Sequence, residues 1–414
     1  MRKLTLDDLN AAVRLGGAST LSERTMLEPA AGIEGVVAPV RYTLDRSAVY
    51  VFERRMIPDD SAEVGSASSA HCRSVVLIDS RSSQSNRAEA YITQAIKDGH
   101  PVYSKMPRIQ VTYSVAIDMS NVKECVVDDV MLPHRAFDGH IRLGEIDGKP
   151  ASQHPVYIAA RNATMSNLMP LFDLSPITVA FGAWDSTRNR NQLRLASPYN
   201  GEIIGVLADQ TADNPVYRAG ARIDPIEASI KFENADIKKI SSLIAADISD
   251  GTKGKFEAGR EKGKGSVIGL GAIPPSVDDK HLDGISVSRI IRTHVLSFAT
   301  LRSLRFGKGK DGDEAIRALI AAMIIDAMTG SNAELNLRAN CMLRESAAPV
   351  TILDKRFGKY DEIEPLTLDD TTALLEQAYA QAQEKAGLDW HGRILEVTGN
   401  PLVIKSASAD DSDQ

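Results

Sequence analysis

The run Asp79-Ser80-Arg81-Ser82-Ser83-Gln84-Ser85-Asn86-Arg87 sets hydroxyls, amides, two guanidinium groups and one carboxylate between a strand and a helix. Donors of this kind beside a helix N-terminus suit phosphate, because the free backbone N–H groups there already attract anions. The run holds no glycine and no Gly-Lys-Ser/Thr ending, so it is not a nucleotide P-loop. A well-capped helix with a solvated loop is the plainer reading of the same residues. Ser83, Gln84, Asn86 and Arg87 are the candidate contacts, and Asp79 is the one acid in this position.

Two further sets carry the same chemistry. Phe181-Gly182-Ala183-Trp184-Asp185-Ser186 runs on to Arg188, Arg190 and Arg194, which puts a large π-face beside guanidinium groups. Single-stranded nucleic acid is held by aromatic stacking plus cations on phosphate. Tryptophan's tendency to be buried favours Trp184 as a core anchor, with the arginines Arg188, Arg190 and Arg194 as the better candidates for a ligand. Arg305-Phe306-Gly307-Lys308-Gly309-Lys310 offers lysines on a backbone that glycine lets approach a phosphate. It reads equally as a plain interhelical connection.

Catalytic sets are poorer. The eight histidines include no His-Glu-x-x-His, and Cys72, Cys125 and Cys341 make no metal pair or disulfide framework. No nucleophile stands with its base, and no metal or cofactor is expected.

These side chains need elements to hold them. Val75-Val76-Leu77-Ile78 reads as a strand, and Ala88, Tyr91, Ile92, Ala95 and Ile96 form one helical stripe, with Asn86 as the cap and Glu89 closing a capping box. Ile109 to Val115 reads as the next strand. This β-α-β order fits an RRM or ferredoxin-like palm, although a doubly wound sheet begins the same way. Ser288 to Leu304 shows a near-helical period, with Arg292, Arg302 and Arg305 flanking the stripe. Ala315 to Met328 is apolar nearly all round and reads as a buried helix stopped by Gly330. Val350 to Leu353 is a closing strand and Thr367 to Lys385 an amphipathic helix.

Composition bounds the class. The 414 residues are 43% hydrophobic and 25% charged, ordinary for a globular chain with a full core. The acidic N-terminus lacks the apolar region of an export signal, and no apolar run is long enough for a membrane span. A cytoplasmic protein is expected. The net charge is −7, yet Val287 to Lys310 carries six bases and no acid. Thr252 to Gly265 carries Lys253, Lys255, Arg260, Lys262 and Lys264 against two acids, on a glycine-rich stretch expected to be a mobile loop. Bases concentrated this way in an acidic chain suggest a polyanion track on one surface.

Asp79-Ser80, Ser83 to Arg87 and Glu89 resemble the motif of the RAMP-superfamily backbone subunit, Cas-seven type, of type I-G (formerly I-U) CRISPR Cascade complexes. Phe181 to Ser186 with Arg188, the Ile273-Pro274-Pro275-Ser276 turn, and Leu296-Ser297-Phe298-Ala299 running into Leu301 to Phe306 agree in order. Gly269-Leu270-Gly271-Ala272 departs from the polar residues often found before that turn.

The resemblance implies an α+β fold: an RRM/ferredoxin-like palm with inserted β-rich thumb or finger elements and a helical C-terminal part. Expected bounds are 1–70 for an N-terminal segment and hairpin, 71–360 for the palm with insertions at about 118–170 and 199–285, and 361–414 for a C-terminal helix and acidic disordered tail. It further implies a non-catalytic subunit that oligomerises along crRNA. Its other partners would be the target DNA strand paired to the guide, a large subunit and a repeat-end-binding RAMP subunit. Ser83, Gln84, Asn86, Arg87, Trp184, Ser186, Arg188, Arg190, Lys253, Lys255, Arg302, Arg305 and Lys308 become the expected nucleic-acid contacts. The alternative is a RAMP endoribonuclease cutting bound RNA with an aspartate, Asp79 or Asp128.

Overall fold

Alternation of buried and half-buried residues along Thr20–Pro29 marks a strand with one face against a core. This strand, β1, lies near the centre of an eight-stranded sheet. The computed structural model describes residues 1–45, 47–58, 70–118, 121–211, 215–226 and 229–406. In chain order the sheet and its helices are β1, β2 (Phe52–Pro58), β3 (Ala70–Asp79), α1 (Arg81–Lys97), β4 (Tyr199–Leu207), β5 (Val287–Ser297), α2 (Gly309–Ala333), β6 (Val350–Asp354), β7 (Tyr360–Ile363) and α3 (Leu368–Ala386).

The sheet order is β7-β6-β1-β5-β4-β3-β2, with Leu343–Glu345 pairing the far end of β1. Every pairing is antiparallel. Within it, β6-β1-β5-β4 joined through α1 and α2 is the four-stranded ferredoxin-like arrangement, so the α+β palm is present. The β2–β3 hairpin extends its edge.

Ile109 to Val115 is a strand, within Arg108–Asp118, but not the second palm strand. It joins a separate five-stranded sheet, parallel to Ile394–Thr398. The chain leaving α1 returns to the palm only at β4. The two insertions therefore run from 98 to 198 and from 208 to 286, and the first is larger at both ends than expected. Nor do residues 1–70 stand apart, since β1 is a palm strand and β2 continues the same sheet at its edge. The acidic tail beyond 406 and the segment from Asp59 to Ser69, expected to be a loop, lie outside the described residues.

One face of the sheet takes the helices. Ala88, Ile92 and Ala95 of α1 and nearly the whole of α2 from Ala315 to Met328 are buried with Leu21, Tyr199 and Leu296. Gly330 does not stop α2. It makes room for Tyr91, whose ring a Cβ there would meet at 2.3 Å, so α1 and α2 pack closely.

Val287–Ser297 is a strand and not the first part of a helix. Its β-branched residues (Val287, Ile290, Ile291, Thr293, Val295) favour a pleat, and both of its edges are paired. Arg292 and His294 thereby point into the core. Arg292 donates from Nη2 to Glu345 Oε1 at 2.5 Å, and His294 lies between the Tyr199 hydroxyl at 2.9 Å and Asn332 Oδ1 at 3.0 Å.

Burial, helped by the Arg292 charge, holds His294 down to about 3, and burial holds His100 at about 4. Both stay neutral in the fold while the unfolded chain takes up protons below about pH 6.5. They therefore remove stability as pH falls. Burial pushes Asp129 up to about 7 and Asp326 up to about 6. Those carboxyls keep protons that the unfolded chain releases above about pH 4, so their contribution is present in acid and lost as pH rises through 6–7. Between pH 4.5 and 6 the two pairs oppose each other. His294→Gln should leave the acids less opposed: chemical denaturation across that range should show the variant gaining on wild type by up to about 1.4 kcal/mol per pH unit as pH falls.

Candidate nucleic-acid interface

Ser80, in extended backbone, caps α1 by accepting the Ser83 N–H at 3.3 Å. The helix thus starts at Arg81, six residues before the start that the expected Asn86 cap would give, and the polar run forms its first two turns. The reason is Asp79. Its carboxylate, fully buried at the end of β3, accepts Ser83 Oγ at 2.9 Å and Gln84 Nε2 at 2.6 Å. Arg87 adds Nε at 2.9 Å and Nη2 at 3.3 Å, and Arg338 adds Nη2 at 2.6 Å. Arg87 also donates to the Asn336 and Leu337 carbonyls, and Arg338 to the Ile78 carbonyl at 2.8 Å.

Burial pushes the Asp79 carboxyl up, but the bonds from Arg87, Gln84 and Ser83 outweigh it and hold it below the usual carboxylate range. A base with every lone pair occupied by cations and amides takes no further proton near neutrality. This corrects Asp79 as a cleavage base. It also changes the meaning of the motif: Gln84, only 3% exposed, and Arg87 lock the strand, the helix and the 336–338 segment together. Ser82 and Asn86 remain exposed on α1.

Two residues after Arg87, the buried Glu89 does not return to a cap. It pairs with Arg135, whose Nη2 lies 2.9 Å from Oε2 and whose Nη1 donates to the Gly182 carbonyl at 2.7 Å. Burial raises the Glu89 carboxyl and Arg135 opposes the rise. Through this bond α1 positions the Trp184 segment, a narrow hairpin in which Ala183–Trp184 pairs with Arg194–Leu195.

Trp184 is no core anchor. It is 51% exposed, with the Arg194 guanidinium 4.9 Å from its ring centre. The buried member of the hairpin is Asp185, which Arg161 grips through Nε at 3.0 Å and Nη2 at 2.7 Å. Arg188 donates to the Arg161 carbonyl and Asn162 Oδ1, and Gln192 Nε2 closes the loop on the Ser186 and Arg188 carbonyls at 3.0 and 2.6 Å. Ser186 and Arg190 are exposed.

Gly182 is the hinge of this arrangement. Its φ is +80°, and a Cβ would meet Ser197 N at 2.6 Å and Leu195 O at 2.8 Å. Gly182→Ala should cost about 2 kcal/mol or more from left-handed strain and overpacking and should shift the emission of Trp184, as read by denaturation and tryptophan fluorescence.

The C-terminal bases divide. Arg302 donates to the Ala12 and Ala18 carbonyls at 2.6 and 2.7 Å. Arg305 is exposed and braced on the Arg302 carbonyl at 2.6 Å, while its own carbonyl accepts Leu168 N–H at 2.8 Å. Asp313 accepts the Phe306 and Lys308 N–H groups at 3.2 and 3.0 Å, so the glycine loop is ordered with Lys308 and Lys310 exposed. The loop 161–168 thus connects Arg188 to Arg305. Arg87 is apart, at the 336–338 segment. Lys253 and Lys255 lie in the second insertion, on a short helix, Asp250–Glu257, instead of a mobile loop. Phe256 anchors that helix against Phe232, ring centres 5.8 Å apart.

Sequence patterns missed Arg338, Arg135 and Arg161. Each is a single arginine far along the chain from the acid it meets, and no local spacing signals such a pair. Among the described residues no helix is long and apolar enough to cross a membrane.

No curated protein matches the chain. Residues 21–210, from β1 past the end of β4 and including both the Asp79 junction and the Trp184 hairpin, match the family described as CRISPR-associated protein GSU0053 (Cas_GSU0053). Over that span the chain is similar to a CRISPR-associated, Cas-seven-like family of type I-U/G, which supports a Cas-seven type subunit.

Proposed function

We propose that the protein is a non-catalytic backbone subunit that binds crRNA and lines up with further copies of itself along the guide, in a cytoplasmic type I CRISPR effector complex. A large subunit and a repeat-end-binding RAMP subunit complete that complex, and target DNA is read by pairing with the guide. The observation that carries the reading is the braced hairpin that presents Trp184 and Arg194 to solvent with Ser186 and Arg190 beside them. An exposed ring with a guanidinium on it, held by a buried Arg161–Asp185 pair, suits a strand of any sequence, since every base has a π-face. Arg188, Arg305 and Lys308 extend the cationic surface through the 161–168 loop. Such a subunit must accept every guide, so contacts to phosphate and sugar are the chemistry required.

The test is purification from a host making the guide transcript. A high 260/280 nm absorbance ratio and extraction of one RNA of defined length support the proposal; protein free of RNA and indifferent to it refutes it. Incubation with guide, complementary RNA and Mg²⁺ tests the cleaving alternative. Regular cuts that vanish in Asp128→Ala would establish an endoribonuclease instead.

A further inference from the structure

The tip of the β6–β7 hairpin, Lys355-Arg356-Phe357-Gly358-Lys359, is the least economical piece of backbone in the described chain. Arg356, Phe357 and Gly358 follow one another in the left-handed region, with φ of 65°, 53° and 72°. Two of them carry side chains that disfavour that region. The turn is nevertheless well tied: Lys359 N–H donates to the Arg356 carbonyl at 3.0 Å, and Asp354 Oδ1 accepts the Arg356 N–H at 2.8 Å. What it holds up is a phenylalanine 92% exposed to water, with the Arg356 guanidinium 5.6 Å from the ring centre.

The surroundings are cationic. Arg356 reaches the Gly16 carbonyl at 3.4 Å, next to the loop whose Ala18 carbonyl holds Arg302. Burial lowers the Arg302 guanidinium and the Arg356 charge lowers it further, so the two cations are near enough to repel. Arg305 follows on the Arg302 carbonyl. The nearby acids are spent, Asp354 on the turn and the Ser19 N–H, Asp361 on Arg2 and Lys355.

We infer that the Phe357 tip is a second nucleic-acid contact, on which an unpaired base of a single strand stacks while Arg356, Lys359 and Arg305 meet its phosphates. The inference rests on the RNA-binding reading above but uses none of the Trp184 hairpin. The ring's turn neighbours are Arg356, Gly358 and Lys359, and the exposed Leu15 lies beside the Gly16 that Arg356 contacts, so a docked protein would find isolated apolar side chains among cations. It does have the aromatic-plus-cation composition that single strands use.

Fluorescence anisotropy of the full chain with a labelled 30-nucleotide oligouridine RNA at fixed salt tests this. Phe357→Ala and Phe357→Gly should weaken binding by about 5- to 100-fold, while Phe357→Tyr stays within about twofold of wild type. Phe357→Gly should melt no lower than wild type, because glycine accepts the left-handed backbone; lost binding with retained stability is what a purely structural role cannot give. Phe357→Ala binding within twofold of wild type, or changing only self-association, overturns the inference. If Trp184→Ala loses RNA and Phe357→Ala does not, the tip alone is wrong. If wild type binds no RNA, both readings fall.

Discussion

Asp79→Ala should cost about 3–5 kcal/mol of folding stability, the largest single effect expected for a polar residue in this chain. The carboxylate is fully buried and answers two guanidinium groups, each about three-quarters buried, at 2.9 and 2.6 Å. Its removal leaves Arg87 and Arg338 facing each other without a counter-ion, and leaves Gln84 with a buried unpaired amide. Asp79→Asn, which keeps an acceptor but no charge, should lie between alanine and wild type. Urea unfolding of the purified chain measures both. Arg87→Ala follows from the same geometry: it should destabilise the fold and leave the slope of log affinity against log salt unchanged. Had Arg87 met a phosphate directly, the slope would drop by about 0.7. A stable Asp79→Ala protein would mean that the junction is held by the surrounding strands and not by its ions.

The second large effect is on binding. Trp184→Ala should weaken RNA affinity by about 1–3 kcal/mol, the usual worth of one stacked base, with little change in melting temperature because the ring is half exposed. Arg190→Ala should instead lower the salt slope by about 0.7, the release of one counterion from a single strand, at similar cost across sequences. Titrations at several salt concentrations separate the two. Equal loss of affinity and stability in Trp184→Ala would return the ring to a packing role. An unaltered affinity would move the RNA path away from this hairpin.

The two sites show how differently the same motif type is used. At Asp79 three of the conspicuous donors, Ser83, Gln84 and Arg87, are turned inward onto one buried acid, while Ser82 and Asn86 stay exposed. At Trp184 the buried acid is Asp185, and its pairing with Arg161 leaves the aromatic ring, Arg190 and Arg194 facing solvent. In each case one fully desolvated carboxylate decides which side chains remain for a ligand.

The amino-acid order alone determined what depends on neighbours in the chain. The apolar run to Ile78 and the stripe from Ala88 made a strand and a helix; the all-round apolar character from Ala315 to Met328 made a buried helix; Val350 to Leu353 and Thr367 to Lys385 fell where expected. Local spacing also marked the Asp79 and Trp184 segments as chemically unusual. Only the tertiary structure decided which sheet the Ile109 strand joins, because pairing partners are chosen by long-range contact. It also turned Ser288 to Ser297 from apparent helix to central strand, since two paired edges outweigh a weak helical period. Finally, it decided which arginines are spent and which are free. A guanidinium's fate is set by the acid it meets across hundreds of residues, as Arg338 meets Asp79, and no sequence period records that meeting.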